Sequence, residues 1–318
     1  TFKSFPPGRM QPQSSGGDWD GRASVYTFLL PYLEQNPLFN ASNFTIPNRL
    51  DVNFTGFQGQ IEILLCPSEP NVKGGWIAFL GTVAGSGVAG GSDWGECSYR
   101  VNYGGTSSCQ SRVNGTGTAS FQSNPNQTCF LEMNGAFSDH SALSSKDFND
   151  GLSNTAMVAE RCIGDNDGPI ANTGKFDRRT DMLVNVGGGS STMTTAQHYQ
   201  ICVNLVAPAD GSPTGFSGLG RDTWYESTYM GTHYNHVFPP NSRNPDCCNA
   251  CSVETSGLRV GRSNSSRAII SARSWHPGAV NVLMGDGQVR SVADNVDLDI
   301  WRAIGTRNGQ ETVSNNQF

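Results

Sequence analysis

His276 and Asp286 are the residues that first invite a chemical reading. An imidazole separated by nine residues from Asp286-Gly287 supplies an acid/base pair or two metal ligands. The spacing argues against joint action. Residues 278–284 read as one extended strand, which at about 3.3 Å per residue separates the two by about 23 Å, whereas a direct hydrogen bond needs about 3 Å. His276 is therefore expected at the strand base, fixing its entry before Pro277, with Asp286 at a hairpin tip and each able to meet some other partner. Asp165-Asn166-Asp167-Gly168 spells part of a calcium loop, with Asp165 and Asp167 as ligands. A full loop needs a third ligand position and a Glu at position twelve, which are missing, so a solvated turn is the plainer reading. His233, His236, Cys247, Cys248 and Cys251 suggest zinc, but Cys-Cys-x-x-Cys is not a paired zinc spacing and disulfides fit better. No Gly-x-Ser-x-Gly elbow, phosphate-binding loop or His-Glu-x-x-His is present, so nothing positive supports an enzyme and no cofactor is expected.

The nine cysteines, Cys66, Cys97, Cys109, Cys129, Cys162, Cys202, Cys247, Cys248 and Cys251, are scattered in the manner of a disulfide set, which points to an oxidising, extracellular location. At least three bridges are expected, with one thiol left free or paired between chains. Cys247 and Cys248 cannot easily reach one partner, so they are expected to bond to two different cysteines. Six Asn-x-Ser/Thr triplets, at Asn40, Asn43, Asn53, Asn114, Asn126 and Asn264, allow glycosylation.

These residues need elements to position them. Of 318 residues, 15% are charged and 38 are glycine, and polarity comes instead from Ser, Thr, Gln and 27 Asn. That composition suits short strands joined by long polar loops. A net charge of −6 without a Lys/Arg cluster excludes a nucleic-acid footprint, and no clean apolar run of about 20 residues predicts a membrane span. Val25, Phe28, Leu29, Tyr32 and Leu33 lie on one helical face, with Asp20 as N-cap, a kink at Leu30-Pro31 and an end at Pro37. Ile61–Leu65, Ser98–Tyr103 and Thr155–Ala159 read as strands. Ala279–Met284, the turn Gly285-Asp286-Gly287 and Gln288–Val292 read as a hairpin with positive φ at both central turn residues, so Asp286→Ala is expected to strain it. Asp297 caps a last helix with Ile300, Trp301 and Ile304 on its apolar face, ended by Gly305.

Several blocks resemble, in order, the prepilin-type proteins once grouped as DUF1559 and abundant in planctomycete-type bacteria. They are Phe5-Pro6-Pro7-Gly8, Leu29-Leu30-Pro31-Tyr32-Leu33-Glu34-Gln35, Cys66-Pro67-Ser68-Glu69, Ser98-Tyr99 with Asn102-Tyr103-Gly104, Asp150-Gly151-Leu152-Ser153-Asn154-Thr155 to Glu160, and Pro239-Pro240-Asn241-Ser242. The stretch 275–309 resembles the family's H-X9-DG domain through His276, Asp286, Gly287, Trp301, Arg302, Gly305 and Arg307. The resemblance implies a single α+β, pilin-like or pseudopilin-like head over residues 1–318, with an antiparallel β-sheet and a short N-terminal helix. It also implies display outside the cytoplasmic membrane by a pilin-like route. The family's leader and hydrophobic N-terminal helix are absent from the sequence as given, either left out of it or removed by a second cleavage, and this puts assembly through that helix in doubt. Pseudopilin heads can carry a structural calcium, which adds to the reading of Asp165 and Asp167.

Apart from the blocks at 98–104 and 239–242, two stretches, about 81–126 and 180–261, do not obviously match the family and read as irregular, disulfide-braced insertions outside the core. They carry Trp94, Trp224, Tyr225 and Tyr229, aromatic types suited to a subunit interface or to stacking on sugars. The expected function is a non-enzymatic structural protein that self-associates into a surface or secretion-type filament or lattice. The alternative is a surface-displayed glycan- or solute-binding module.

Overall fold

The computed structural model describes residues 4–10, 23–44, 53, 56, 59–72, 75–77, 92–109, 133–138, 142–164, 176–184, 193–206, 216–217, 223–225, 227, 231–253, 260–311 and 313. In 75–77, 92–94, 108–109, 184, 216–217, 250–253 and 260–266 it describes the backbone alone.

The chain is α+β, with short helices and mainly antiparallel sheets. The N-terminal element divides as Pro31 requires. Ser24 caps Val25–Leu29, its Oγ accepting from the amide of Tyr26 at 3.1 Å, whereas the expected cap, Asp20, lies outside the described residues. Leu30–Leu33 then tightens into a 3-10 turn and closes on Glu34 at φ 59°. This turn rotates Tyr32 off the expected apolar face, leaving it 67% exposed. Pro37 does not end the element. It sits in the first turn of Asn36–Ala41, where its missing N–H would have had no helical partner. Ile61–Leu65 is not a strand either. Glu62–Leu64 is a 3-10 turn that buries Ile61 and Leu64, three apart, and exposes Ile63.

Two five-stranded sheets form the body. In the first the spatial order is His233–Tyr234, Tyr99–Asn102, Ala156–Glu160, Ala279–Met284, Val289–Ala293. Its pairs are antiparallel except the first. In the second the order is Ser108–Cys109, Val260–Ile269, Asp246–Val253, Met182–Val184, Phe216–Ser217, with the third and fourth parallel. Ala156, Val280 and Val282 of the first sheet share one core with Met182, Cys248 and Ala268 of the second, closed by Trp301 and Ile304. A separate core lies beneath the N-terminal helix, where Val25, Tyr26 and Leu30 meet Val101, Tyr103 and Met157. Among the described residues no helix is long and apolar enough to cross a membrane.

The expected second insertion is therefore not irregular and not outside the core. It supplies the strands Met182–Val184, Phe216–Ser217 and Asp246–Val253, and the helix Thr195–Val203. Trp224 and Tyr225 are 0% and 2% exposed, so they are core residues rather than interface or glycan contacts. The Trp224 indole N–H donates to the Gly59 carbonyl at 2.9 Å, and a Cβ at Gly95 would come within 2.2 Å of its nitrogen. Gly95 is thus the floor on which this ring rests.

The C-terminal hairpin pairs Ala279 with Ala293 through Leu283 with Val289. Its turn departs from expectation. The Gly287 amide donates to the Met284 carbonyl at 3.0 Å and the Met284 amide to the Gln288 carbonyl at 2.8 Å, with Gly287 at φ 88°. This is a three-residue loop with a left-handed glycine, and Asp286 is not at positive φ. Asp286 instead accepts from the Gln288 amide at 3.0 Å. Asp297 caps Leu298–Gly305 through the amides of Asp299 and Ile300, but Ile300 is only half-buried. Gly305 is needed for clearance, not for a left-handed cap: a Cβ there would lie 2.4 Å from the His236 ring. In urea unfolding, Gly287→Ala should lose about 1 kcal/mol or more. Asp286→Ala should lose less than that, because it gives up one exposed hydrogen bond. The opposite ranking would contradict this turn geometry.

Candidate functional site

Glu160 ends a central strand of the first sheet, and its 5% exposed side chain needs internal partners. The neighbouring strand provides them: Oε2 accepts from the Asn281 amide at 2.7 Å and Oε1 from Asn281 Nδ2 at 3.1 Å. His276 enters just before that strand, with Nε2 3.1 Å from Glu160 Oε1. The third member comes from the turn at Cys66-Pro67-Ser68-Glu69, closed by the Glu69 amide on the Cys66 carbonyl at 2.9 Å. Cys66 Sγ lies 3.8 Å from both Glu160 Oε1 and His276 Nε2. Three blocks distant in sequence thus meet at one carboxylate. His276 is well separated from Asp286 in role, as the strand length requires, and its partner is Glu160.

Trp275 docks the same loop onto a second carboxylate. Its indole N–H donates to Glu69 Oε1 at 2.9 Å, and Glu69 also accepts from the amides of Ile163 and Asn71. The Arg179 guanidinium lies 5.0 Å above the Trp275 ring. Burial pushes the Cys66 thiol up, with Glu160 adding to the shift against hydrogen bonds from Ser68. Tyr99, opposite Glu160 in the sheet, is pushed up to about 12 by burial and then by Cys66 and Glu160.

A thiol, an imidazole and a carboxylate together suggest an activated nucleophile. A relay, however, places the nucleophile on one ring nitrogen and the carboxylate on the other. Here both face Nε2, and burial pushes the thiol up rather than activating it. What the geometry offers is one nitrogen, one oxygen and one sulfur donor, mutually within 4.8 Å.

The other expected sites are rearranged. Cys202 and Cys247 form a disulfide with Cα atoms 6.0 Å apart. Cys248 is also disulfide-bonded. Cys66, Cys97 and Cys162 are buried and not joined in disulfides, contrary to their expected pairing. Cys66 sits against Glu160 and His276, Cys97 donates to the Tyr99 carbonyl at 3.1 Å, and burial pushes Cys162 up to about 12. His198 Nε2 is 3.8 Å from Cys247 Sγ, but that sulfur is committed to the disulfide. The proposed zinc histidines are structural. His236 Nδ1–H donates to the Trp301 carbonyl at 2.7 Å, so Nε2 accepts from the Tyr234 hydroxyl at 3.0 Å. His233 stacks on Tyr103 and bonds Ser227.

The family residues at the C-terminus brace the body. Trp301 Nε1 donates to the Phe238 carbonyl, Arg302 to that of Val237, and Arg307 to those of Met133 and Gly135. Asn53 is 1% exposed and bonds the Asn43 backbone through both amide atoms, so it is closed to glycosylation, whereas Asn40 and Asn43 are exposed. Asp165, Asp167, Cys129, Asn114, Asn126 and Tyr229 lie outside the described residues, as do the side chains of Trp94, Cys109, Cys251 and Asn264.

Sequence reasoning missed the Cys66–Glu160–His276 meeting and the Glu69–Trp275 dock. The available signal was that several family blocks end on a residue able to do chemistry. It also missed Asp246, which is buried between Arg161 at 3.0 Å and Arg273 at 2.9 Å. Burial alone would raise that carboxyl, but the two arginines and the Ser271 amide outweigh it and hold it low.

Fold and site together define an α+β protein whose sequence blocks close on a buried carboxylate. The chain belongs to the family described as protein of unknown function (DUF1559), whose model matches residues 1–299. Neither the curated proteins nor the solved structures contain a match.

The buried histidines set a pH response. Burial lowers His198 to about 4 and His236 to about 3. An unfolded histidine titrates near 6.5, so between these values the unfolded chain binds more protons and stability falls as pH falls. Urea unfolding from pH 7 to 4 should lose about 1.4 kcal/mol per pH unit for each histidine below pH 6.5. His198→Gln should flatten that slope, and an unchanged slope would show that His198 is not buried neutral.

Proposed function

We propose that this chain is the globular head of a pilin-like, non-enzymatic structural protein, displayed outside the cytoplasmic membrane and assembled into a surface or secretion-type filament or lattice. The observation that carries this reading is the use made of the family's polar residues: they hold strands and loops to one another. Asn102 Nδ2 donates to the carbonyls of Ala156 and Gly305, both at 2.8 Å, joining the central strands to the last helix. Asp150 accepts from the amides of Gly309 and Gln310, tying that helix's exit to the turn before a core strand. Asn241 bridges the Ala279 carbonyl and Asp294 across the base of the hairpin. A body braced this way suits a rigid displayed subunit.

Family membership and a short N-terminal helix packed on an antiparallel sheet agree with a pilin-like head. The Cys202–Cys247 disulfide supports an oxidising location. Burial of Trp224 and Tyr225 weakens the glycan-binding alternative, which relied on them to stack on sugars, and also removes them as assembly contacts. Electron microscopy of native surface material, labelled with antibody to this chain, should find it in filaments or lattices. Label confined to dispersed monomers would contradict the assembly reading and favour a binding module.

A further inference from the structure

We propose that Cys66, Glu160 and His276 form a binding site for a zinc-class divalent cation. Zinc takes sulfur at about 2.3 Å and nitrogen or oxygen at about 2.0–2.2 Å in a tetrahedron. Those lengths require the donors to stand about 3.3 Å apart for nitrogen and oxygen, and about 3.6 Å apart for sulfur with either. The structure places Nε2 and Oε1 at 3.1 Å and Sγ at 3.8 Å from each. The three donors therefore already outline one face of a coordination tetrahedron, whose fourth position a water would fill.

The surroundings fit an ion better than a hydrogen-bonded trio. At 3.8 Å the thiol is at the outer limit of a sulfur hydrogen bond to either partner. A thiolate, a carboxylate and a neutral imidazole sum to −2, so a divalent cation leaves the half-buried site neutral. Binding displaces the thiol proton to solvent, and the imidazole binds as the tautomer that carries its proton on Nδ1, leaving Nε2 free for the metal. Asn281 fixes the carboxylate through both oxygens, the outer support that ligating carboxylates need. Cys66 is buried while the His276 side chain is 35% exposed, so an ion enters past the imidazole. Mixed nitrogen, oxygen and sulfur donors select zinc or cobalt over calcium or magnesium, which prefer oxygen alone.

The inference is independent of the assembly reading and is tested separately. The purified full chain, stripped with a chelator, is titrated with cobalt(II) and then zinc(II). One equivalent of cobalt should produce a thiolate-to-metal charge-transfer band, which zinc abolishes. Cys66→Ser and His276→Gln should lose the band and bind zinc at least about 100-fold more weakly, beyond the effect of losing an outer partner. Asn281→Ala should keep the band with binding about 10-fold weaker. His198→Gln should retain wild-type binding, separating this site from the cluster at the disulfide. If the ligand variants fail to fold, zinc protection of Cys66 from alkylation in the wild-type chain, mapped by mass spectrometry, decides the matter. A folded wild-type chain that gives no band and no protection overturns the proposal, as does a band that survives Cys66→Ser.

Discussion

A carboxylate inside a protein must be met by donors, and Glu160 is the point at which this requirement organises the molecule. Its two oxygens fix the register of the adjacent strand through Asn281, draw in the loop at His276 and set the floor for Cys66. Without those contacts a buried charge would carry a penalty of several kcal/mol. The strand end, the Cys66 turn and the entry to the hairpin are therefore coupled, although they are distant in sequence.

The next residue carries the same principle to the second sheet. Glu160 and Arg161 are neighbours, and they meet different partners. Arg161 pairs with Asp246, which begins the long Asp246–Val253 strand and also binds Arg273 and the Ser271 amide. In a chain with only 15% charged residues, Arg161 thus links the first sheet to the second through a buried ion pair, next to the carboxylate that gathers the first sheet's loops. Removing one member of such a group typically costs about 3–5 kcal/mol, because the charge left behind stays buried. The sheets also share apolar packing around Trp301, so polar and apolar links act at the same interface.

Local signals were legible where one turn or one period decides the outcome. The break at Leu30-Pro31, the strands at Tyr99–Asn102 and Ala156–Glu160, and the hairpin up to its turn type all follow from proline, glycine and alternation. The misread elements were decided by geometry that short patterns share: Ile61–Leu65 carries apolar residues that serve a 3-10 turn as well as a strand. Larger errors came from long-range pairing. Nothing local shows that Asp246–Val253 lies beside Met182–Val184 in parallel, so a core-building stretch resembled an insertion, and Trp224 resembled a surface aromatic. The site was hidden for the same reason. Cys66, Glu160 and His276 were each visible as single residues, and only the crossing of three segments brings them together.

A double-mutant cycle on Glu160→Gln and Asn281→Ala, read by urea unfolding of the metal-free protein, tests most directly whether this carboxylate holds the segments together. A part-buried, charge-assisted hydrogen bond at 3.1 Å predicts a coupling of about 1.5–3 kcal/mol. Effects that add to within about 0.5 kcal/mol would mean that Glu160 and Asn281 act independently, and would contradict the account.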